Sequence, residues 1–360
     1  MRTLAIVLML TLLAACGSDQ KPQDSEVRAI ERATVTDGPD GTILCNGPVR
    51  ESAPPQCEGP VIANWDWDEV WGAHGEAGAQ FGDFCLEGKA FGDEFELTSR
   101  PRPVGTCDAP EYLGSGTVLQ NKHHGPQLCL GGVKTSLPVQ CGGPDIPNWD
   151  WKRTPPTTAI NESKDGMFVV HGVYVDGDFT LTRPPKPWKE GDAQTEAPMR
   201  DFATPCPEPD GGWFPKDRPK LDEYAVDRAA PLAEKIPGYS ELWLDQSNSE
   251  GTENDPNELI LNVRVTKGVK GAEAAMQKVW KGALCVSKAK HTNKALQKIQ
   301  DEAQVMAKGL MLMSSSGDDH VDVTVIVDEG GRLQKAFDTR YGLGTVRVSS
   351  ALSEATQPRL

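Results

Sequence analysis

Two short runs set a pair of tryptophans around an aspartate, Trp65-Asp66-Trp67 and Trp149-Asp150-Trp151. Indoles at i and i+2 share one face of an extended segment, and two such rings could stack on a sugar or a peptide. The same rings serve a small domain equally well as core, with Asp66 and Asp150 accepting backbone hydrogen bonds, and this is the favoured reading. Asp318, Asp319, His320 and Asp322 have the donor types of a cation site, yet Gly317-Asp318-Asp319 beside a strand is ordinary turn composition. The acidic stretch from Asp245 to Glu258 places Glu250 and Pro256 where a calcium-binding EF-hand needs Gly and Glu, so a solvated hairpin loop is expected. No G-x-S-x-G, phosphate-cradling Gly loop or H-E-x-x-H occurs, and a Ser/His/Asp triad leaves no local trace because its members lie far apart in sequence. No catalytic residue, metal ligand or cofactor is assigned. The chain reads as a binding protein, with an uncharacterised hydrolase as the weakest alternative.

The other chemistry-bearing residues are cysteines. Apart from Cys16 there are eight, Cys45, Cys57, Cys85, Cys107, Cys129, Cys141, Cys206 and Cys285, an even set that reads as a disulfide framework in an exported chain. Eight cysteines allow about 105 pairings. Cys45/Cys57 and Cys129/Cys141 share the same spacing and flanks, so the economical choice closes each pair on its own loop. Cys85 with Cys107 and Cys206 with Cys285 are then inferred. A zinc site is disfavoured, since no Cys-x-x-Cys is present and the six histidines are scattered.

Export is written in the first residues. Arg2 precedes an apolar run from Leu4 to Ala15, which is a signal-peptide core too short to span a bilayer. The run ends in Leu13-Ala14-Ala15-Cys16, which looks like the bacterial lipobox and implies acylation of the Cys16 thiol with cleavage before it. Acyl chains would anchor the protein through buried CH2 groups. An envelope location follows, at the outer membrane if the cell is Gram-negative. The formal charge of −15 and pI near 4.9 argue against nucleic acid or an anionic surface as a partner of a basic face. Envelope polysaccharide or an exported protein remains as partner, besides the membrane itself.

The elements that would position these residues are legible as a repeat. Residues 43–67 and 127–151 match at 15 of 25 positions without a gap, at an offset of 84. Phe84 then aligns with Phe168, Phe95 with Phe179 and Leu97 with Leu181. Met167 to Tyr174, the Asp176-Gly177 turn and the alternating Phe179-Thr180-Leu181-Thr182 read as a β-hairpin. The expected organisation is a signal peptide 1–15, a lipidated cysteine with polar tether 16–40, β modules 41–110 and 115–208, a linker 209–237, an α+β domain 238–352 and a tail 353–360. Each module is expected to be a small all-β barrel or sandwich of four or five strands, stapled by disulfides. The α+β domain is expected as β-β-α-β-α-β-α-β, one antiparallel or mixed sheet under helices.

The motifs L-C-x-G-x-V, S-x-P-x-Q-C-x-G-P and N-W-D-W, with T-P-C-P-E-P-D-G-G-W at 204–213, G-Y-S-E-L-W-L-D at 238–245 and G-x-L-C-V-S-K-A at 282–289, resemble those of an uncharacterised family of exported bacterial proteins. That resemblance implies architecture and no chemistry. Residues 282–328 are more weakly similar to the pro-regions of secreted α-lytic-type serine proteases, which implies a protease-related regulator as the alternative role.

Overall fold

A computed structural model describes residues 26–355 apart from 51, 53, 77, 132–140, 161, 191, 193–199 and 250–254. The signal peptide and Cys16 lie outside the described residues. The protein is mostly β-sheet, with four disulfides and, among the described residues, four sheets. Its chain divides into two compact units, one ending at Cys107 and one beginning at Asp108. The disulfides join Cys45–Cys57, Cys85–Cys107, Cys129–Cys141 and Cys206–Cys285, the same four pairs that the spacing and the repeat lead to.

The first unit contains β1 (Arg28–Gly38), β2 (Gly41–Leu44), β3 (Val61–Ile62), β4 (His74–Glu76), β5 (Ala79–Phe91), β6 (Glu94–Leu97) and β7 (Arg102–Pro103). Strands pair in the order β1-β2-β3-β6-β5, and β5 pairs back onto β1, so five strands close a barrel. Closure satisfies strand edges that an open sheet would leave bare. The core holds Val35, Leu44, Ile62, Phe84, Phe95 and Leu97. In β6 the alternation Glu94-Phe95-Glu96-Leu97 puts both apolar side chains inside.

Residues 28–38 correct the expected tether of 16–40, because they form the barrel's first strand. A β-bulge between Ile30 and Ala33 interrupts the two-residue period and sets Glu31 and Arg32 side by side. The strand therefore reads as polar, although Ala33 and Val35 are buried. The two-residue turn Pro39-Asp40, between the paired Gly38 and Gly41, joins this strand to β2.

The second unit opens with β8 (Tyr112–Asn121), β9 (His124–Cys129), β10 (Thr158–Ile160), β11 (Ser163–Val175), β12 (Asp178–Leu181) and β13 (Lys186–Pro187). Each of β10 to β13 starts 84 residues after its counterpart among β4 to β7, with the same pairings. Asp145 bridges Gln127 and Asp178, which completes the ring at the position of β3. At the Asp176-Gly177 turn both residues have positive φ, 54° and 97°, as a type I′ hairpin requires. Gly59 and Gly143 mark one repeated close approach, since a Cβ there would overlap the carbonyl oxygen of Leu44 or Leu128. The repeated units thus start at Arg28 and Tyr112, ahead of the expected 41 and 115, and they have seven and six strands rather than four or five, with β20 added to the second sheet.

The remainder of the second unit contains α1 (Ala225–Glu234), β14 (Tyr239–Asp245), β15 (Ile260–Val265), α2 (Val269–Met276) and β16 (Ala283–Lys288). It continues with α3 (Asn293–Met306), β17 (Met311–Gly317), β18 (His320–Val325), α4 (Arg332–Tyr341), β19 (Val346–Ser350) and β20 (Ser353–Glu354). Two separate three-stranded sheets, β14-β15-β16 and β17-β18-β19, replace the single expected sheet. Each is an antiparallel hairpin followed by a parallel crossover, and each carries a bulge at the same place, after Tyr239 opposite Val265 and after Met311 opposite Val325. This region is therefore a helix-strand-strand-helix-strand unit built twice.

Two more boundaries change. The expected linker 209–237 contains α1, whose Ala225, Ala229 and Ala233 are fully buried at helical spacing. Pro231 inside it removes a backbone donor and masks the helix signal. The expected tail 353–360 begins with β20, which pairs antiparallel with the start of β8.

Candidate binding site

The N-W-D-W runs are built the same way in both barrels. Asn64 donates to the Leu97 carbonyl at 3.0 Å and accepts from the Leu97 amide at 2.8 Å. Asn148 does the same to Leu181, at 2.9 Å in both directions. Trp65 and Trp67 meet edge to face at 4.9 Å and both pack on Phe84, while Trp149 and Trp151 meet at 5.2 Å on Phe168. Asp66 accepts from the Asp68 amide and Asp150 from the Lys152 amide. Trp67 donates to Asp37 and Trp151 to Gln120, each at 2.6 Å; Asp37 and Gln120 are equivalent positions once the β1 bulge is counted. Crossed rings wedged on a core phenylalanine give no flat stacking surface. The side chains of Asn64, Asp66, Asn148 and Asp150 and the N–H groups of Trp67 and Trp151 are spent on the fold, while the N–H groups of Trp65 and Trp149 are buried without a hydrogen-bond partner.

The acidic candidates are also internal partners. Glu241, on β14, pairs with Arg200 and Arg264 and accepts the Asp318 backbone amide. Asp318 pairs with Arg264. Burial pushes the Asp318 carboxyl up, but the Arg264 hydrogen bond and charge, with His320 and Arg200, outweigh it and hold the group below the usual aspartate range. Asp319 accepts from the Lys290 and His291 amides, and Asp322 lies 3.0 Å from His320 Nε2. Among the described residues no three His, Cys, Asp or Glu side chains converge as metal donors. The segment from Arg200 to Phe214 crosses the sheet face opposite α1 and α2: Trp243 donates to the Phe202 carbonyl, the Thr204 amide donates to Asp245, and Cys206 bonds Cys285 beside Ile260 and Phe214.

One of several clefts among the described residues, of about 620 Å³, lies on the first barrel. Arg28, Ile30 and Arg32 from β1 line it together with Leu44, Pro60 and Phe95. Val27 to Ala29 beside it are exposed, and among the described residues β1 pairs there with β5 on one side only. In the second barrel the equivalent strand start is covered. Ser353 lies opposite Leu113 and Glu354 opposite Tyr112, the Ala355 amide donates to the Glu111 carbonyl at 2.8 Å, and Leu352 is buried over Gly114. The sequence reading missed Arg28, Ile30 and Arg32 because it assigned them to the tether; the Asp37-Gly38-Pro39-Asp40-Gly41 turn after Ala33-Thr34-Val35 was the signal that could have found them.

No family model matches the chain, and no curated protein matches it.

Proposed function

We propose that the chain is a lipid-anchored protein of the bacterial cell envelope that binds an exported protein, belonging with the exported family whose motifs it carries. In this reading it consists of two copies of one disulfide-stapled β module and an α+β domain. The observation that carries the binding role is the asymmetry between the copies: among the described residues the cleft and strand edge of the first barrel are open, whereas the equivalent edge in the second is covered by the chain itself. Four disulfides support an oxidising compartment, and the apolar run ending at Cys16 supports the anchor. The indole pairs, committed to packing, argue against a polysaccharide platform. Cross-linking from the protein in its native envelope tests the reading: capture of a specific exported protein is expected, and recovery of polysaccharide alone would overturn it.

A further inference from the structure

We infer that the first barrel takes up an extended segment of its partner as an added strand along Val27–Ile30, with an apolar residue in the cleft and an acidic residue two positions later against Arg28. This rests on the binding reading above and names the chemistry of its ligand. The template is the second barrel. There the chain lays Leu352-Ser353-Glu354-Ala355 antiparallel on β8, with Ser353 opposite Leu113 and Glu354 opposite Tyr112. Antiparallel pairing alternates backbone groups between the two sides of a strand. The residues whose groups meet the added strand are Glu111 and Leu113, since the Ala355 amide donates to Glu111. Their equivalents at the offset of 84 are Val27 and Ala29, which turn their N–H and C=O groups to the open side of β1.

Side chains at the two sites complete the argument. Where Leu352 lies over Gly114, the first barrel has Ile30 and a cleft of about 620 Å³, lined by Leu44, Pro60 and Phe95 with Asn46 and Asp93 at its polar side. Where Glu354 faces Tyr112, the first barrel presents Arg28, so an acidic residue in that register gains an opposite charge. An exposed strand edge beside a cleft with an apolar wall is a geometry by which sheets recruit a further strand: main-chain hydrogen bonds give affinity and alternate side chains give specificity. The occupant is therefore an extended apolar-x-acidic segment of an exported protein.

The probe is a labelled peptide with the sequence of residues 349–355, Ser-Ser-Ala-Leu-Ser-Glu-Ala, titrated against the mature full-length chain. Saturable binding at one site is expected, weakened about tenfold or more by Ala29→Pro, which removes the outward N–H. Arg28→Glu should weaken the same peptide and strengthen one carrying Lys in place of Glu. Unchanged disulfide maps and melting temperatures show that both variants are folded. Absence of peptide binding, or binding indifferent to both substitutions, overturns the strand-addition site. Equal capture of an envelope partner by wild type and both variants overturns this site while leaving the binding function intact; no captured partner for any of them removes the function as well. Concentration-dependent self-association abolished by Ala29→Pro would make a second copy the occupant and contradict the partner named here.

Discussion

Leu352 is buried directly over Gly114, close enough that a Cβ on the glycine would come within 2.6 Å of its Cδ2 atom. Leu352 packs into the space beside Gly114 where the chain's own C-terminal strand closes over the second barrel. In the first barrel Ile30 stands at the equivalent position and lines the cleft, and among the described residues no strand pairs with the outer edge there.

Gly114→Val should push the Leu352 side chain aside and loosen β20 on β8. Overpacking of this kind costs about 1–3 kcal/mol. Hydrogen exchange should show the Ser353 and Ala355 amides losing protection, with the rest of the second barrel little changed; retained protection at both would show that the glycine is incidental.

The indoles are expected to carry stability. Trp149→Ala should cost about 3–5 kcal/mol, as for other large aromatic truncations in a core, because its ring is nearly buried against Phe168. Asn148→Ala should cost about 1–3 kcal/mol by leaving the Leu181 amide and carbonyl without their partners. Chemical denaturation measures both, and a change within the usual surface range of about 0.5 kcal/mol would contradict the packing role.

Much of this fold was open to reading from the residues. The 84-residue offset located β5 and β6 with their counterparts β11 and β12, and the cysteine spacing led to the disulfides, because each depends on local pattern or on identity between the copies. The signals that failed have physical causes. The β1 bulge shifts the register by one residue against β8 from Ala33 onward, which hides the match of Thr34-Val35 with Thr117-Val118, and ahead of it Val27–Ile30 and Glu111–Gly114 have no residue in common. Pro231 hides α1, and the doubled helix-strand-strand-helix-strand unit survives as geometry, including its bulges opposite Val265 and Val325, without a matching run of residues. The open cleft was illegible for another reason. It exists only by contrast with a covered twin, and the cover is a two-residue strand brought from the far end of the chain.

Glu241 joins Arg200, Arg264 and the turn at Asp318. Glu241→Ala leaves two guanidinium groups without this carboxylate and should cost about 3 kcal/mol, as removal of one partner from a buried ion pair does. A double-mutant cycle with Arg264→Ala should show strong coupling; additive effects would dissolve the network.

Acid should loosen the same junction. The Asp318 carboxyl is held below its ordinary value in the folded protein, so its contribution is fully present above the unfolded value of about 3.9 and is lost as pH falls through the lower folded value. Asp245 behaves likewise: burial raises it, but hydrogen bonds from Ser247 and Thr204 outweigh that and lower it. The melting temperature should fall below about pH 4, and Asp318→Asn should flatten that dependence. An identical acid profile in the variant would remove Asp318 from the account.

The central claim is that β1 offers a vacant strand edge where β8 does not, and amide hydrogen exchange of the mature chain tests it directly. The account predicts a slow Leu113 amide and a fast Ala29 amide in the protein alone, with Ala29 slowed about tenfold or more by saturating Ser-Ser-Ala-Leu-Ser-Glu-Ala peptide. An Ala29 amide as protected as Leu113 before any ligand is added, or one unmoved by the peptide, would contradict it.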